Sequence, residues 1–469
     1  MPEALQTSEV VTASTRRGEG GLRGFLAFQP AGVTAPWRIF WVGFALRVLY
    51  MTVAHTWRIR VLMDHFQFGW ELGRIARSVV AGQGYGNPFL GHTGPTTWIP
   101  PLYTLLVAAV FRVFGIYSAP SAWVIFAINS AFSGATALCV YEIAARCYGG
   151  RVALWSGWLW ALYPAAMQYA VHWVWDMSLT TWLFAGVLLL ALRARGVDVT
   201  HTAEGDGHRL QRWGWFGLLW GLILLSNPSL VLALPAVMLW MIWGGRGTAF
   251  TLEHAVRGAV LAMAVMAVCL APWVWRNWQV FHVFTPTRGN LGAELYQSTL
   301  ESNDGFPWGP TLPMAEADPQ MRRYAAIGEV AYVREQGAAA KERIRENPRR
   351  IVGWMGKRVY FFWAGVPHPL DRKPWVEYTR EVNFGFLSVT GWLGLLLSLR
   401  RRVPGSKLFL ATFVFVPLIY YAVTVQARFR HPLEPLICVL TVYLFQSADR
   451  TRIWTWSPKR LVERDEAVA

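Results

Sequence analysis

The sequence predicts an all-α protein that crosses a membrane many times. Of its 469 residues, 54% are hydrophobic and only 15% are charged, and the apolar residues fall in long runs. Runs of about 18 or more apolar residues are needed to cross a hydrocarbon core of roughly 30 Å. The 27 tryptophans point the same way, because indole rings gather at membrane interfaces. These observations exclude the two soluble domains that the length alone would allow.

Hydropathy identifies eleven candidate segments, and we expect ten of them to cross the membrane. They lie at residues 39–57, 99–114, 121–145, 152–171, 177–192, 213–226, 228–243, 256–275, 383–399, 408–425 and 432–447. The segment at 99–114 is short, opens with two prolines and contains Arg112, so we expect a re-entrant or surface-lying helix there. Ten crossings place the short basic loops and the C-terminal tail in the cytoplasm, as the positive-inside rule requires.

This topology divides the chain into five regions. They are a flexible cytoplasmic tail at 1–35, a membrane module at 36–277 with a first outer loop at 56–97, a small external domain at 278–382, C-terminal transmembrane helices at 383–447 and a cytoplasmic tail at 448–469. Within the external domain, the stretch "GEVAYVREQGAAAKERIRENP" (328–348) predicts an amphipathic helix. It should end before Pro348, because a proline ring disfavours helical geometry at the preceding residue.

The net charge of +16 first suggests nucleic-acid binding. The basic residues, however, lie in short loops between apolar runs and not on one soluble face, so membrane topology explains them and no nucleic-acid partner is expected. The four cysteines lie in or at the ends of apolar runs without CxxC spacing, which predicts no disulfide, redox or zinc site. A P-loop sequence for nucleotide hydrolysis is also absent from the chain.

The first outer loop begins with polar residues where a lipid-facing helix could have avoided them. Asp64 and Gln67 have the spacing of a capping box, which predicts a helix over about residues 65–81 that ends at Gly82. A carboxylate at the membrane edge is also partly desolvated, which raises its pKa and makes it a better base. Asp64 is therefore a candidate general base as well as a helix cap.

Further polar residues accompany Asp64 in this loop. Glu71 lies on the same helical face and either orients a sugar hydroxyl or pairs with Arg74 or Arg77. His65 is a candidate second base or metal ligand, although one histidine is weak evidence for a metal ion.

Later outer loops supply more candidates. In "QYAVHWVWDMSL" (168–179), Asp176 is either a functional acid or the N-cap of the next span, and His172 is a second candidate or an ordinary interfacial histidine. Arg276 lies at the outer end of the seventh span. In "VQARFRHPLEP" (425–435), Arg428, Arg430 and His431 occupy a very short outer loop against the charge rule. Guanidinium groups fit phosphate oxygens bidentately, which favours a phosphate site over contacts with lipid headgroups.

Two stretches resemble the GT-C glycosyltransferases. They are "MDHFQFGWELGRIARSVVAGQGYG" (63–86) and "GPTTWIPPLYTLLVAAVFRVFG" (94–115), with Pro100-Pro101 after an aromatic stretch. This superfamily of integral-membrane enzymes includes the protein O-mannosyltransferases (glycosyltransferase family 39) and the lipid A aminoarabinose transferases. The resemblance implies the GT-C fold and an inverting hexosyl or pentosyl transferase.

The resemblance also implies the partners and the location. The donor would be a polyprenyl-phosphate sugar, the acceptor a lipid, a glycan or a protein, and the site would face the periplasm from the bacterial inner membrane. The family's acidic pair stands here as Asp64-His65, which leaves the participation of a divalent metal ion open, and the acid of the second outer loop is matched by Asp176. Asp64 would deprotonate the acceptor while Arg276, Arg428 and Arg430 stabilise the departing phosphate.

A transporter or flippase for a lipid-linked or anionic substrate is the main alternative. Alternating access favours polar groups near the middle of the membrane. Here they are predicted at one face, with Arg47 as the main exception. A non-catalytic subunit that binds a partner through the external loop is a third hypothesis, but it leaves Asp64 and the outer arginines without a joint purpose.

Overall fold

In the computed structural model the chain folds as a bundle of α-helices, which confirms the predicted all-α class. The structure describes residues 35–59, 68–197, 209–243, 252–300, 319–366 and 374–448. Within these ranges the only β-pairing is an isolated bridge between Gly86 and Pro95. The helices in chain order are α1 (Ala35–Val53), α2 (Glu71–Val80), α3 (Pro101–Phe114), α4 (Ala119–Tyr148), α5 (Gly150–Leu162), α6 (Pro164–Val171), α7 (Met177–Ala194), α8 (Arg209–Leu224), α9 (Ala233–Trp243), α10 (Leu252–Phe281), α11 (Leu291–Ser298), α12 (Pro319–Ile327), α13 (Glu329–Glu346), α14 (Pro348–Ala364), α15 (Pro374–Arg400), α16 (Ser406–Phe415), α17 (Leu418–Ala422) and α18 (Glu434–Gln446).

Four helices of the described chain are long and apolar enough to cross a membrane. They are α4, α7, α10 and the part of α15 at Tyr378–Arg400. The expected number of ten crossings stays a prediction. Helix α3 has 14 residues and so spans about 21 Å, which is shorter than a hydrocarbon core. This length agrees with the partial helix predicted from its sequence.

Two predicted spans are interrupted by proline. The span predicted at 152–171 is divided into α5 and α6 at Tyr163 and Pro164, and the span predicted at 408–425 is divided into α16 and α17 next to Pro417. Proline has no backbone N–H and its ring clashes with the preceding helical turn. The uninterrupted helices expected from hydropathy alone are therefore wrong at these two places.

The helix predicted over 65–81 starts later than expected. Gly69 and Trp70 have φ angles of 87° and 53°, and these left-handed conformations prevent a right-handed helix from continuing through them. Helix α2 begins at Glu71, so a cap at Asp64 is the wrong interpretation for this helix. Its end is confirmed, since Gly82 has a φ of 77° and its N–H donates to the Val79 carbonyl at 3.2 Å.

The buried charge of Arg47 is explained by the break between α5 and α6. The helix ends before the Ala161 carbonyl finds a helical donor, whereas the Trp160 carbonyl accepts the Tyr163 N–H at 3.2 Å. Arg47 lies on α1 and donates to both, from Nη1 to the Ala161 oxygen at 2.8 Å and from Nη2 to the Trp160 oxygen at 3.5 Å. This arginine therefore supports the bundle and does not mark a transport pathway.

Glycines allow two pairs of helices to approach closely. A Cβ atom at Gly217 would overlap the backbone of Ala262, where α8 packs against α10, and one at Gly394 would overlap the Leu440 carbonyl, where α15 packs against α18. Membrane helices often use small residues in this way, because close backbones increase van der Waals contact.

The external helices pack against the first outer loop. The predicted amphipathic helix at 328–348 is confirmed as α13, which ends before Pro348. Phe89 and Trp98 of the outer loop form a small hydrophobic core with Tyr324 and Tyr332 of α12 and α13. The loop is therefore sandwiched between the membrane bundle and the external helices.

Replacing Arg47 with Met should lower the free energy of unfolding by about 1–3 kcal/mol, because the buried Ala161 carbonyl loses its donor. Thermal unfolding of the purified protein in detergent measures this change. Arg112→Met is the control, since Arg112 is exposed on α3, and its effect should be below about 0.5 kcal/mol. Equal free energies of unfolding for Arg47→Met and Arg112→Met would contradict the role given to Arg47.

Candidate active site

Asp176 lies at the turn between α6 and α7. It occupies the N-cap position of α7, but its side chain makes no capping hydrogen bond. Its Oδ2 atom instead accepts the Thr180 hydroxyl at 3.0 Å. Burial raises the pKa of Asp176, while Thr180 and the positive charge of Arg428 act against this rise. The capping role that the sequence allowed is therefore absent, and the carboxylate faces an arginine from another part of the chain.

Arg428 lies in the 3-10 segment Ala427–Leu433 that leads into α18. Its guanidinium carbon is 3.9 Å from the ring centre of Trp175, the residue before Asp176. In the described chain, its side chain makes no hydrogen bond and no ion pair within 4 Å. Burial lowers the pKa of Arg428, and the negative charges of Asp176 and Glu71 oppose this shift.

Glu71 is the first residue of α2 and is half-buried. Burial raises its pKa, and the positive charges of Arg74 and Arg288 act in the opposite direction. Arg74 is buried one turn further along α2, which agrees with the predicted pairing of these residues by charge. Glu71 also interacts electrostatically with Arg428, as Asp176 does.

Arg288 completes this charged group and was missed in the sequence analysis. Its Nε atom donates to the Trp98 carbonyl at 2.7 Å, and its Nη2 atom donates to Glu294 at 2.9 Å. Its charge also acts on Glu71, Asp176 and Arg428. Arg428 was identified because it lies in a very short predicted outer loop. Arg288 lies in the long loop predicted at 278–382, and long translocated loops largely ignore the charge rule, so its position gave no such signal.

Arg276 lies apart from this group. It donates to the carbonyl of Tyr85 at 2.7 Å and to that of Thr96 at 2.9 Å, and also to Asn277 at 3.0 Å. The guanidinium additionally faces the rings of Tyr85 and Trp273. These contacts fix the first outer loop to the end of α10.

Arg430 and His431 are fully buried beside Glu434. Arg430 donates to Glu434 Oε1 at 3.3 Å, to the Phe384 carbonyl at 3.0 Å and to Ser388 at 2.5 Å. His431 Nδ1 lies 2.5 Å from the other oxygen of Glu434, and Tyr163 donates to Oε1 at 3.2 Å. The two residues next to Arg428 thus anchor its segment inside the bundle.

Three candidates of the sequence analysis remain, His172, Asp64 and His65. His172 is exposed, and its Nε2 atom lies 3.3 Å from the Tyr50 hydroxyl. Asp64 and His65 lie outside the described residues. Within the described ranges no three histidine, cysteine or acidic side chains are grouped to hold a metal ion.

The helical fold is similar to that of the GT-C membrane enzymes, as the resemblance in the sequence predicted. An oligosaccharyltransferase of Archaeoglobus fulgidus in the apo form matches 89% of this chain over 51% of its own length, with 14% identity and a TM-score of 0.52. The same comparison with its form tethered to an acceptor peptide covers 88% of this chain and 49% of that protein, with 15% identity and a TM-score of 0.52. This chain therefore spans about half the length of that enzyme.

The sequence profile of the dolichyl-phosphate-mannose-protein mannosyltransferases matches residues 99–275. ArnT from Cupriavidus metallidurans, solved with undecaprenyl phosphate, is a more distant match, with 15% identity, coverage of 88% of this chain and 78% of that protein, and a TM-score of 0.39. No curated protein sequence matches this chain significantly.

The two buried acids should make stability fall as the pH rises. Because burial raises the pKa of Asp176 and of Glu71 in the folded state, the folded protein holds these protons more tightly than the unfolded chain does. Their contribution to stability is fully present below about pH 4 and is lost as the pH rises through the folded pKa values. Asp176→Asn and Glu71→Gln should each reduce this fall, because each variant removes one of the two groups that release a proton. A tenfold difference in proton affinity between the folded and unfolded states corresponds to about 1.4 kcal/mol.

Melting temperatures measured in detergent between about pH 3.5 and pH 7 test this expectation. Glu342→Gln, at an exposed position on α13, is the control and should leave the pH dependence unchanged. If both site variants followed the wild-type curve, the two acids would not be buried as described.

Proposed function

We propose that this chain is a glycosyltransferase that transfers a sugar from a polyprenyl-phosphate donor to an acceptor at the outer face of the cytoplasmic membrane. One observation carries the proposal: the Arg428 guanidinium lies 3.9 Å from the ring centre of Trp175, next to Asp176, and the charges of Arg428 and Arg288 act on both Asp176 and Glu71. A transfer reaction needs both a proton acceptor and positive charge near a leaving phosphate. This site provides both kinds of group.

The lipid-linked donor is supported by the matched family, whose name specifies a dolichyl-phosphate sugar. The match covers residues 99–275, which include the turn that carries Trp175 and Asp176. A preactivated donor also needs no nucleotide hydrolysis, which agrees with the absence of a P-loop sequence. The acceptor in this proposal is a lipid, a glycan or a protein.

Asp64 is the proposed general base, as its place in the first outer loop suggests. The base would remove a proton from the acceptor hydroxyl or amine as that group attacks the anomeric carbon of the donor. Glu71 and Asp176 would orient the sugar and the acceptor, since both carboxylates are partly buried in the site. Inversion at the anomeric carbon follows from a single displacement.

Arg428 is the proposed contact for the departing phosphate, assisted by the charge of Arg288. The guanidinium of Arg428 donates no hydrogen bond within the described part of the chain, whereas Arg276 and Arg430 use their donors on protein acceptors. Charge-assisted bonds from a planar guanidinium fit two phosphate oxygens at once. Arg276 and Arg430 are therefore assigned to supporting the loops around the site.

A transporter or flippase is less well supported. The charged group lies where helices begin and end, and the mid-bundle charge of Arg47 is used on backbone carbonyls. Ion pairs at the other end of α7, such as Arg193 with Glu142, are separate from this group. The described helices do not show the pathway of polar groups near the middle of the membrane that alternating access favours.

Replacing Asp64 with Asn should lower sugar transfer by about 10²- to 10⁴-fold, because the acceptor loses its general base. The assay supplies the purified protein with undecaprenyl-phosphate sugars and a membrane extract, and follows the labelled sugar. Glu342→Gln is the matched control, since it also neutralises an outer carboxylate but lies on the external helix α13. Equal transfer by wild type and Asp64→Asn would remove the base assignment, and no transfer by the wild type with any donor would favour a transporter.

Replacing Arg428 with Gln should raise the apparent KM for the donor by about 10-fold or more, because a charge-assisted phosphate contact is worth about 1.5–3 kcal/mol. The same transfer assay, with donor concentration varied, measures this change. Arg322→Gln removes an exposed arginine from α12 and should leave KM unchanged. An unchanged KM in Arg428→Gln would argue against a phosphate contact.

A further inference from the structure

The turn before α7 contains two tryptophans that form a layered stack with Arg428. The rings of Trp173 and Trp175 are nearly parallel, with an angle of 5° between their planes and 4.6 Å between their centres. The Arg428 guanidinium carbon lies 3.9 Å from the centre of the Trp175 ring. All three side chains are half-buried, so they are partly shielded from water at the edge of the charged site.

A stack restrains an arginine differently from hydrogen bonds. It holds the face of the planar guanidinium through a cation–π interaction, while the N–H groups along the edges stay available. Arg47, Arg276 and Arg430 illustrate the other arrangement, since each donates to carbonyl or carboxylate oxygens of the protein. Among the described residues, Arg428 is thus positioned by aromatic contact without using its N–H donors on the protein.

The same turn carries one of the acids of the site. Asp176 follows Trp175 directly and acts electrostatically on Arg428, yet no ion pair within 4 Å joins the two in the described structure. A direct ion pair would occupy the guanidinium donors and leave fewer for a ligand. The stack therefore keeps the acid and the arginine close without joining them.

We propose that Trp175, supported by Trp173, is a positioning residue that holds the guanidinium of Arg428 ready for the phosphate of the donor. This inference rests on the proposed function, because it assumes that Arg428 contacts that phosphate. Its physical basis is preorganisation: a side chain already held in its bound orientation loses less conformational freedom when the ligand arrives. Trp175 need not touch the ligand for this effect.

The test measures binding of undecaprenyl phosphate to the full-length protein in detergent by native mass spectrometry. Trp175→Leu removes the aromatic face and should weaken binding by about 5- to 30-fold. Trp175→Phe keeps an aromatic face and should restore most of the affinity. Trp182→Leu is the matched control, since Trp182 is also half-buried and stacked, on Phe132 at 5.4 Å, but lies further along α7.

A double variant separates positioning from a general loss of structure. If Trp175 acts through Arg428, then Trp175→Leu combined with Arg428→Gln should bind no more weakly than Arg428→Gln alone. Independent losses in the two variants would overturn the inference, as would wild-type affinity in Trp175→Leu when Arg428→Gln binds weakly; the phosphate contact itself would then stand. Wild-type affinity in Arg428→Gln would instead remove the phosphate contact, and the inference with it.

Discussion

The site depends on the way Glu329 holds the first outer loop. This buried carboxylate, at the start of α13, accepts hydrogen bonds from the Thr96 hydroxyl, from the N–H and hydroxyl of Thr97 at 2.7 and 2.6 Å, and from Tyr324 at 2.8 Å. A buried charge is tolerated only when its hydrogen bonds are satisfied in this way. The carbonyl of the next residue, Trp98, accepts a hydrogen bond from Arg288. The external helices therefore determine where one of the site's positive charges lies.

The arginines show how one residue type takes different roles according to what its donors meet. Arg47 bonds to the Ala161 carbonyl at a helix break, Arg276 bonds to the carbonyls of Tyr85 and Thr96 in the loop, and Arg430 bonds to the buried carboxylate of Glu434. Removing these side chains would leave buried polar groups without partners. Arg428 meets an aromatic face instead. Its role can therefore lie outside the protein, in a ligand, while the other three are needed by the fold.

Local features of the fold followed from the sequence, and long-range ones did not. The stop at Gly82 and the helix that ends before Pro348 depend on neighbouring residues and were predicted correctly. The predicted start of α2 was wrong. The sequence around Gly69 and Trp70 contains no pattern that predicts their left-handed conformations. Glu71, Asp176 and Arg428 were predicted as site residues from residue type and position, and their role in a site stays a prediction. Arg288 and Glu329 were missed, because their partners are about 190 and 230 residues away.

The opposing charges of the site also connect donor binding to base strength. Burial raises the pKa of Glu71 and of Asp176, and the arginines act to lower it again. Under the proposed function, a phosphate bound at Arg428 and near Arg288 would compensate their positive charge, so that burial and the phosphate would act in the same direction on both carboxyls. A carboxylate with a raised pKa accepts a proton more readily. Glu71 and Asp176, which the proposal assigns to orienting the sugar and the acceptor, would then hold protons more tightly when the donor is in place.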